Sequence, residues 1–210
     1  MTAIRDAYLE AAQSAVALLR DPAVAAAWDR PSALAEFSVH GLAGHLGSQV
    51  LYVSGLLETE APDAAPLSVL EFYARAEAFH GGVDAEINVR IRQGGEAAAA
   101  DGANALADEV QQAVVRQRAA LSAEPDDRVI SFTQRPLLLN DFLLTRMMEV
   151  VVHSDDLALS AGIGTPVFPP QVFEPVAGLL SRLAVVRHGQ TAVLRALSRS
   201  ERAPATIAGI

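Results

Sequence analysis

Glu149 and His153 stand four residues apart in Arg146-Met147-Met148-Glu149-Val150-Val151-Val152-His153-Ser154-Asp155-Asp156-Leu157, a carboxylate and an imidazole in an oily segment. On an α-helix, residues i and i+4 share a face, so both side chains point the same way. Burying either one alone costs on the order of a few kcal/mol unless a partner satisfies it. A divalent metal ion satisfies both. An i,i+4 Glu–His pair is more often a surface ion pair or a hydrogen-bonded core pair, so this pair needs a third group before it carries chemistry. His45, in Gly41-Leu42-Ala43-Gly44-His45-Leu46, is another imidazole in small, apolar surroundings. A lone histidine of that kind usually finds a backbone carbonyl. Two such helices facing each other, however, supply three ligands and leave one position open, the arrangement of catalytic zinc sites.

Neighbouring residues admit two readings each. Asp156, three residues after His153, either accepts a hydrogen bond from the ring nitrogen turned away from the metal or is, with Asp155, a solvated charge. Arg146 lies on the face of Glu149 and either binds an anionic group of a substrate or cofactor or pairs with a nearby carboxylate; the pairing is favoured. His40 faces another direction from His45 and is expected to be exposed. His80 before Gly81-Gly82 and His188 before Gly189 read as helix ends. Trp28 and Tyr52 read as core or rim packing, with Tyr52 within reach of the same cavity as His45. Gly94-Gly95 and Gly162-Gly164 read as helix terminators rather than phosphate loops.

Composition narrows the chemistry further. There is no cysteine, so the chain has no disulfide and no thiolate of its own, and a metal site must use His, Asp or Glu. Any essential thiol must arrive as a small molecule. All 16 basic residues are arginine, which excludes Schiff-base chemistry on lysine. The net charge of −9 argues against nonspecific binding to nucleic acid or to anionic membrane surfaces. No apolar run reaches membrane-spanning length, and the first residues carry charge where a signal peptide would carry its apolar core, so a cytoplasmic location is expected. With 51% hydrophobic and 20% charged residues over 210 positions, the chain suits a single soluble domain.

The elements that must position these groups are helices. Apolar spacing predicts a first helix over Thr2–Leu19, punctuated by Asp21-Pro22, and a second with Ser38 as N-cap, ending near Glu58. A third helical region is expected from Ser68 to about Gln93, kinked or broken at Gly81-Gly82 and ended by Gly94-Gly95. A fourth helix is expected over Asp101–Leu121. Arg128–Thr133 has strand composition, but standing alone it reads as an extended loop. The helix carrying Glu149 and His153 spans roughly Asn140–Leu159, closed by Gly162 or Gly164. Beyond a stiff turn at Pro166, Pro169 and Pro170, two helices cover Gln171–Arg187 and Gln190–Ser198. The sum is an all-α fold: an antiparallel four-helix bundle over residues 1–165 with a helical extension, 166–210, packed on the same domain.

Ser38-Val39-His40-Gly41-Leu42-Ala43-Gly44-His45-Leu46 resembles the "W-[ST]-V-x-x-L-x-x-H-L" element of the DinB-like metalloenzymes, with Phe37 in place of the tryptophan as an aromatic plug. Arg146-Met147-Met148-Glu149 followed by His153-Ser154-Asp155-Asp156-Leu157 resembles the second element, "R-x-x-E-x-x-x-H-x-x-D-L", of the mycothiol-dependent maleylpyruvate isomerase metal-binding domain. The resemblance implies a DinB-like bundle, a divalent metal, usually zinc, on His45, Glu149 and His153, and mycothiol placing its sulfur at the open position. The family's isomerase carries a second domain, whereas about fifty residues follow Leu159 here. The expectation is therefore a zinc enzyme that activates a small thiol toward an electrophilic substrate, by S-transfer or isomerisation. The alternative is a metal-binding bundle with a structural or regulatory role. A homodimer through an apolar C-terminal helix is a further expectation.

Overall fold

The computed structural model describes residues 2–76 and 82–210. Four long helices form the bundle: α1 (Ala3–Leu19), α3 (Val39–Leu57), α6 (Ala103–Ala123) and α7 (Leu139–Ala161). Each of α1 and α3 touches both α6 and α7, so one apolar core lies between them. Tyr8, Leu42, Leu46, Val50, Val110, Phe142, Met147 and Leu157 are buried in it. The short α2 (Pro22–Ala26) follows the Asp21-Pro22 punctuation, where Asp21 caps Ala23 N–H at 2.8 Å and proline takes the first turn. After the bundle, α8 (Pro170–His188) packs on α7 and α1, and α9 (Gln190–Ser198) packs on α8. Among the described residues no helix is long and apolar enough to cross a membrane.

Two buried polar hubs lock the helices together. Arg5 of α1 donates from Nη1 to the carbonyls of Leu121 (3.0 Å) and Glu124 (2.7 Å), from Nη2 to Pro125 O (2.7 Å), and from Nε to Asn140 Oδ1 (2.9 Å). It thereby satisfies carbonyls at the α6 C-terminus that no intrahelical N–H can reach. Gln117 of α6 accepts from Tyr8 Oη at 2.9 Å and donates to Val50 O and Ser54 Oγ of α3, both at 2.8 Å. Such fully paired buried groups fix helix register as well as adding stability.

The fold departs from the sequence expectation in two places, the first of them in the helical region expected from Ser68 to about Gln93 with a kink or break at Gly81-Gly82. Two helices occupy that region, α4 (Val69–Ala74), opened by a Ser68/Glu71 capping box, and α5 (Glu86–Ala98). His80 and Gly81 lie outside the described residues. Gly94-Gly95 does not end a helix, because α5 runs through it. Gly95 is needed for contact: a Cβ there would sit 2.3 Å from Gly41 O, and a Cβ on Gly44 would sit 1.9 Å from Gly95 O. The backbones of α3 and α5 meet where only hydrogen fits. Gly44→Ala is therefore expected to cost about 2–3 kcal/mol through forced separation, although alanine gains about 1 kcal/mol of helix propensity. A lowered urea midpoint checks this; an unchanged or raised midpoint would contradict the close approach.

The second departure is Arg128–Thr133. It is not an isolated loop: β1 (Val129–Phe132) pairs antiparallel with β2 (Arg135–Leu138), in register Val129↔Leu138 through Phe132↔Arg135. Pro136 hides the second strand from a pattern search, since proline removes a ladder donor. It is tolerated in this two-stranded sheet, and its carbonyl accepts from Leu67 N at 2.9 Å. Thr133 and Gln134 connect the strands with φ of 49° and 62°, the positive values that a primed two-residue turn requires.

Candidate metal centre

α3 and α7 lie side by side, and each brings its chemistry to the shared seam. On α3, Ser38 caps Gly41 N–H at 3.0 Å and starts the helix that carries His45. On α7, the 23-residue helix keeps Arg146, Glu149, His153 and Asp156 at three- and four-residue steps. His45, Glu149 and His153 each present a ligand atom, and these atoms lie within 4.8 Å of one another. The rings of His45 and His153 meet edge to face, with centroids 4.7 Å apart. His153 reaches Glu149 Oε2 through Nε2 at 3.1 Å and Asp156 Oδ2 through Nδ1 at 3.0 Å. Phe37 stands beside His45 with centroids 5.8 Å apart.

The electrostatics divide the three donors. Burial and the charge of His153 push His45 down to about 4, so its ring is neutral with a lone pair available. Burial pushes the Glu149 carboxyl up, but the hydrogen bond to His153 and the charge of Arg146 outweigh it and hold the group at about 2. Burial pushes His153 down, and here too the partners prevail. Hydrogen bonds to Asp156 and Glu149 raise it to about 9. Two imidazoles and one carboxylate form a donor set suited to zinc and other borderline divalent ions. All three donors converge from rigid helices, so the residues present fit the group.

Arg146 faces the interior. Only 5% exposed, its Nη1 donates to Gln49 Oε1 and its Nε to Thr145 Oγ1 at 3.2 Å. Its guanidinium lies over Phe132 and Phe142, 4.9 and 5.2 Å from the ring centroids. His40 is half-buried rather than exposed, with Nδ1 3.1 Å from Trp28 O. His188 closes α8 and reaches Ala208 O at 2.8 Å. Tyr52 packs its ring on Phe132, with centroids 5.7 Å apart.

Two site neighbours escape the sequence reading. Gln49 lies one turn beyond His45; with its oxygen taken by Arg146, its amide nitrogen sits 3.3 and 3.5 Å from the two ring nitrogens of His45. The same i,i+4 rule that pairs Glu149 with His153 finds it. Tyr73 of α4 is buried within the fields of Glu149 and Arg146, and burial together with the Glu149 charge pushes its phenol up. No spacing in the sequence points to Tyr73, since it comes from a separate short helix.

No curated protein and no solved structure matches the chain. The model of the mycothiol maleylpyruvate isomerase N-terminal domain family matches residues 9–158. That span covers well over half of the sequence and includes His45, Glu149 and His153. The chain therefore belongs to the mycothiol maleylpyruvate isomerase N-terminal domain family, within the DinB-like superfamily.

Proposed function

We propose that His45, Glu149 and His153 hold a divalent metal, zinc by their chemistry, and that the protein is a thiol-dependent enzyme of the S-transfer or isomerisation type. The observation that carries this reading is the convergence of three ligand atoms within 4.8 Å from two helices, with no fourth His, Asp or Glu joining them among the described residues. Structural zinc sites close all four positions with protein ligands, whereas catalytic sites keep one open. When bound, zinc supplies Lewis acidity that lowers the pKa of a coordinated thiol and favours its thiolate.

The chain's own residues then have distinct tasks. His45 and Glu149 offer their donors already deprotonated. Asp156 holds His153 by Nδ1, so Nε2 is the nitrogen turned to the cluster. Arg146 keeps Glu149 ionised and, through Gln49, ties α7 to the His45 turn. With a divalent ion and a neutral His153, the charges of Arg146, Glu149 and Asp156 leave one positive charge over, which a thiolate neutralises. The chain lacks cysteine, so that thiolate comes from a small molecule, and the family points to mycothiol.

Cobalt-substituted protein tests this. Adding mycothiol is expected to produce a sulfur-to-cobalt charge-transfer absorption that saturates at one thiol per chain. A cobalt spectrum unmoved by mycothiol and by simpler thiols would overturn the thiol-dependent reading.

A further inference from the structure

Tyr73 stands in the short helix α4, outside both motif helices, and is only 4% exposed. Its ring meets Phe72 edge to face, with centroids 5.3 Å apart, and Phe72 faces Phe132 at 6.2 Å. Phenylalanine would fill such a place without burying an oxygen. A buried hydroxyl costs free energy unless it is paired. The hydroxyl of Tyr73 hydrogen-bonds to two groups of the centre, the Glu149 carboxylate and the Arg146 guanidinium. A guanidinium only donates and an ionised carboxylate only accepts, so the polarity is fixed. The oxygen accepts from Arg146, and the O–H donates to Glu149. At ordinary pH the phenol keeps this proton, since burial and the Glu149 charge both push its titration up.

The two oxygens of Glu149 then differ in what they can do. Oε2 lies 3.1 Å from His153 Nε2, the nitrogen turned to the cluster. A carboxylate can give a metal one oxygen or both. Both would fill the position that the three-donor set leaves open. A donor held on one oxygen prevents this, and metal-bound carboxylates are commonly hydrogen-bonded in that way. Arg146 acts on Glu149 through its charge, its Nη1 and Nε being given to Gln49 and Thr145.

We propose that Tyr73 is a positioning residue of the metal centre, whose hydroxyl holds one Glu149 oxygen so that the carboxylate gives the metal only the other. The inference rests on the metal reading above and is independent of which ligand takes the open position. It also gives α4 a task, since the Ser68/Glu71 capping box starts the helix that delivers the hydroxyl.

Visible absorption of the cobalt-loaded full chain tests it in the wild type, Tyr73→Phe and Phe72→Leu, with no thiol added. Four-coordinate cobalt absorbs more strongly than five-coordinate cobalt, so band intensity reads whether Glu149 gives one oxygen or two. The wild type is expected to show intense four-coordinate bands, and Tyr73→Phe the weaker bands of a five-coordinate ion. Tyr73→Phe removes one oxygen and no packing carbon, so it keeps the fold, which circular dichroism verifies. Phe72→Leu disturbs the packing of the same helix and spares the hydroxyl. It should lower the unfolding temperature and leave the bands as in the wild type. Equal intensity in wild type and Tyr73→Phe, an equal loss in Phe72→Leu, or five-coordinate bands in the wild type itself would each overturn the proposal. A wild type that takes up no cobalt would instead overturn the metal reading beneath it.

Discussion

His153→Ala protein is expected to bind zinc more than about 100-fold more weakly than the wild type. Replacing an outer partner of a metal-bound histidine costs about 10–100-fold in affinity, and removing the ligand itself must exceed that. Asp156→Asn supplies the internal comparison. It keeps the shape beside His153 Nδ1 but removes the charge, so its loss should fall within about 10–100-fold. Glu149→Gln should resemble His153→Ala, because the amide is a poor ligand in a position the carboxylate fills at every ordinary pH. Competition against a chromophoric chelator measures all four proteins. Equal affinities across the series would remove the metal from this cluster.

Zinc affinity is also expected to rise about tenfold per pH unit from pH 7 toward 9, close to 100-fold in all, and then to level off. In the metal-free protein Asp156 and Glu149 raise His153 to about 9, so at pH 7 the ring is protonated and the metal must displace that proton. His45, at about 4, is already neutral and adds no slope in this window. Calorimetry in buffers of different ionisation enthalpy should find about one proton released per zinc at pH 7. The stability of the metal-free protein should move the other way. A folded-state value above the ordinary 6.5 stabilises the fold fully below that pH, and the contribution is lost as pH rises through about 9. Thermal unfolding with and without zinc should thus diverge between pH 7 and 9. Parallel curves would mean that His153 is not the group the metal displaces.

The residues of the centre were the most legible part of the sequence, for a physical reason. A helix converts spacing into direction, so Glu149 and His153 announce a shared face, and the valines between them announce burial. The same local rules locate α1, α3 and α7 to within two residues, through Ser38 at one start and Gly162, in the left-handed conformation, at one end. What stayed hidden depends on partners distant in sequence. Gly95 looks like a helix terminator until Gly41 and Gly44 are known to press against it. Val129–Phe132 looks unpaired until β2 is recognised despite Pro136. The spacing of Arg146 points to its own helix face and not to Phe132, delivered by that same hairpin, over whose ring the guanidinium lies. Gln49 obeyed the spacing rule but carries no charge, and an uncharged amide inside a helix ordinarily signals nothing.

The most direct test of the metal centre is elemental analysis of protein purified without a metal-affinity tag or chelator, beside a His45→Ala variant of equal folded content. The arrangement of His45, Glu149 and His153 predicts about one divalent ion per chain, zinc, in the wild type and its loss in the variant. Wild-type protein that holds no stoichiometric metal even after incubation with zinc, or a His45→Ala variant that holds as much as the wild type, would contradict it.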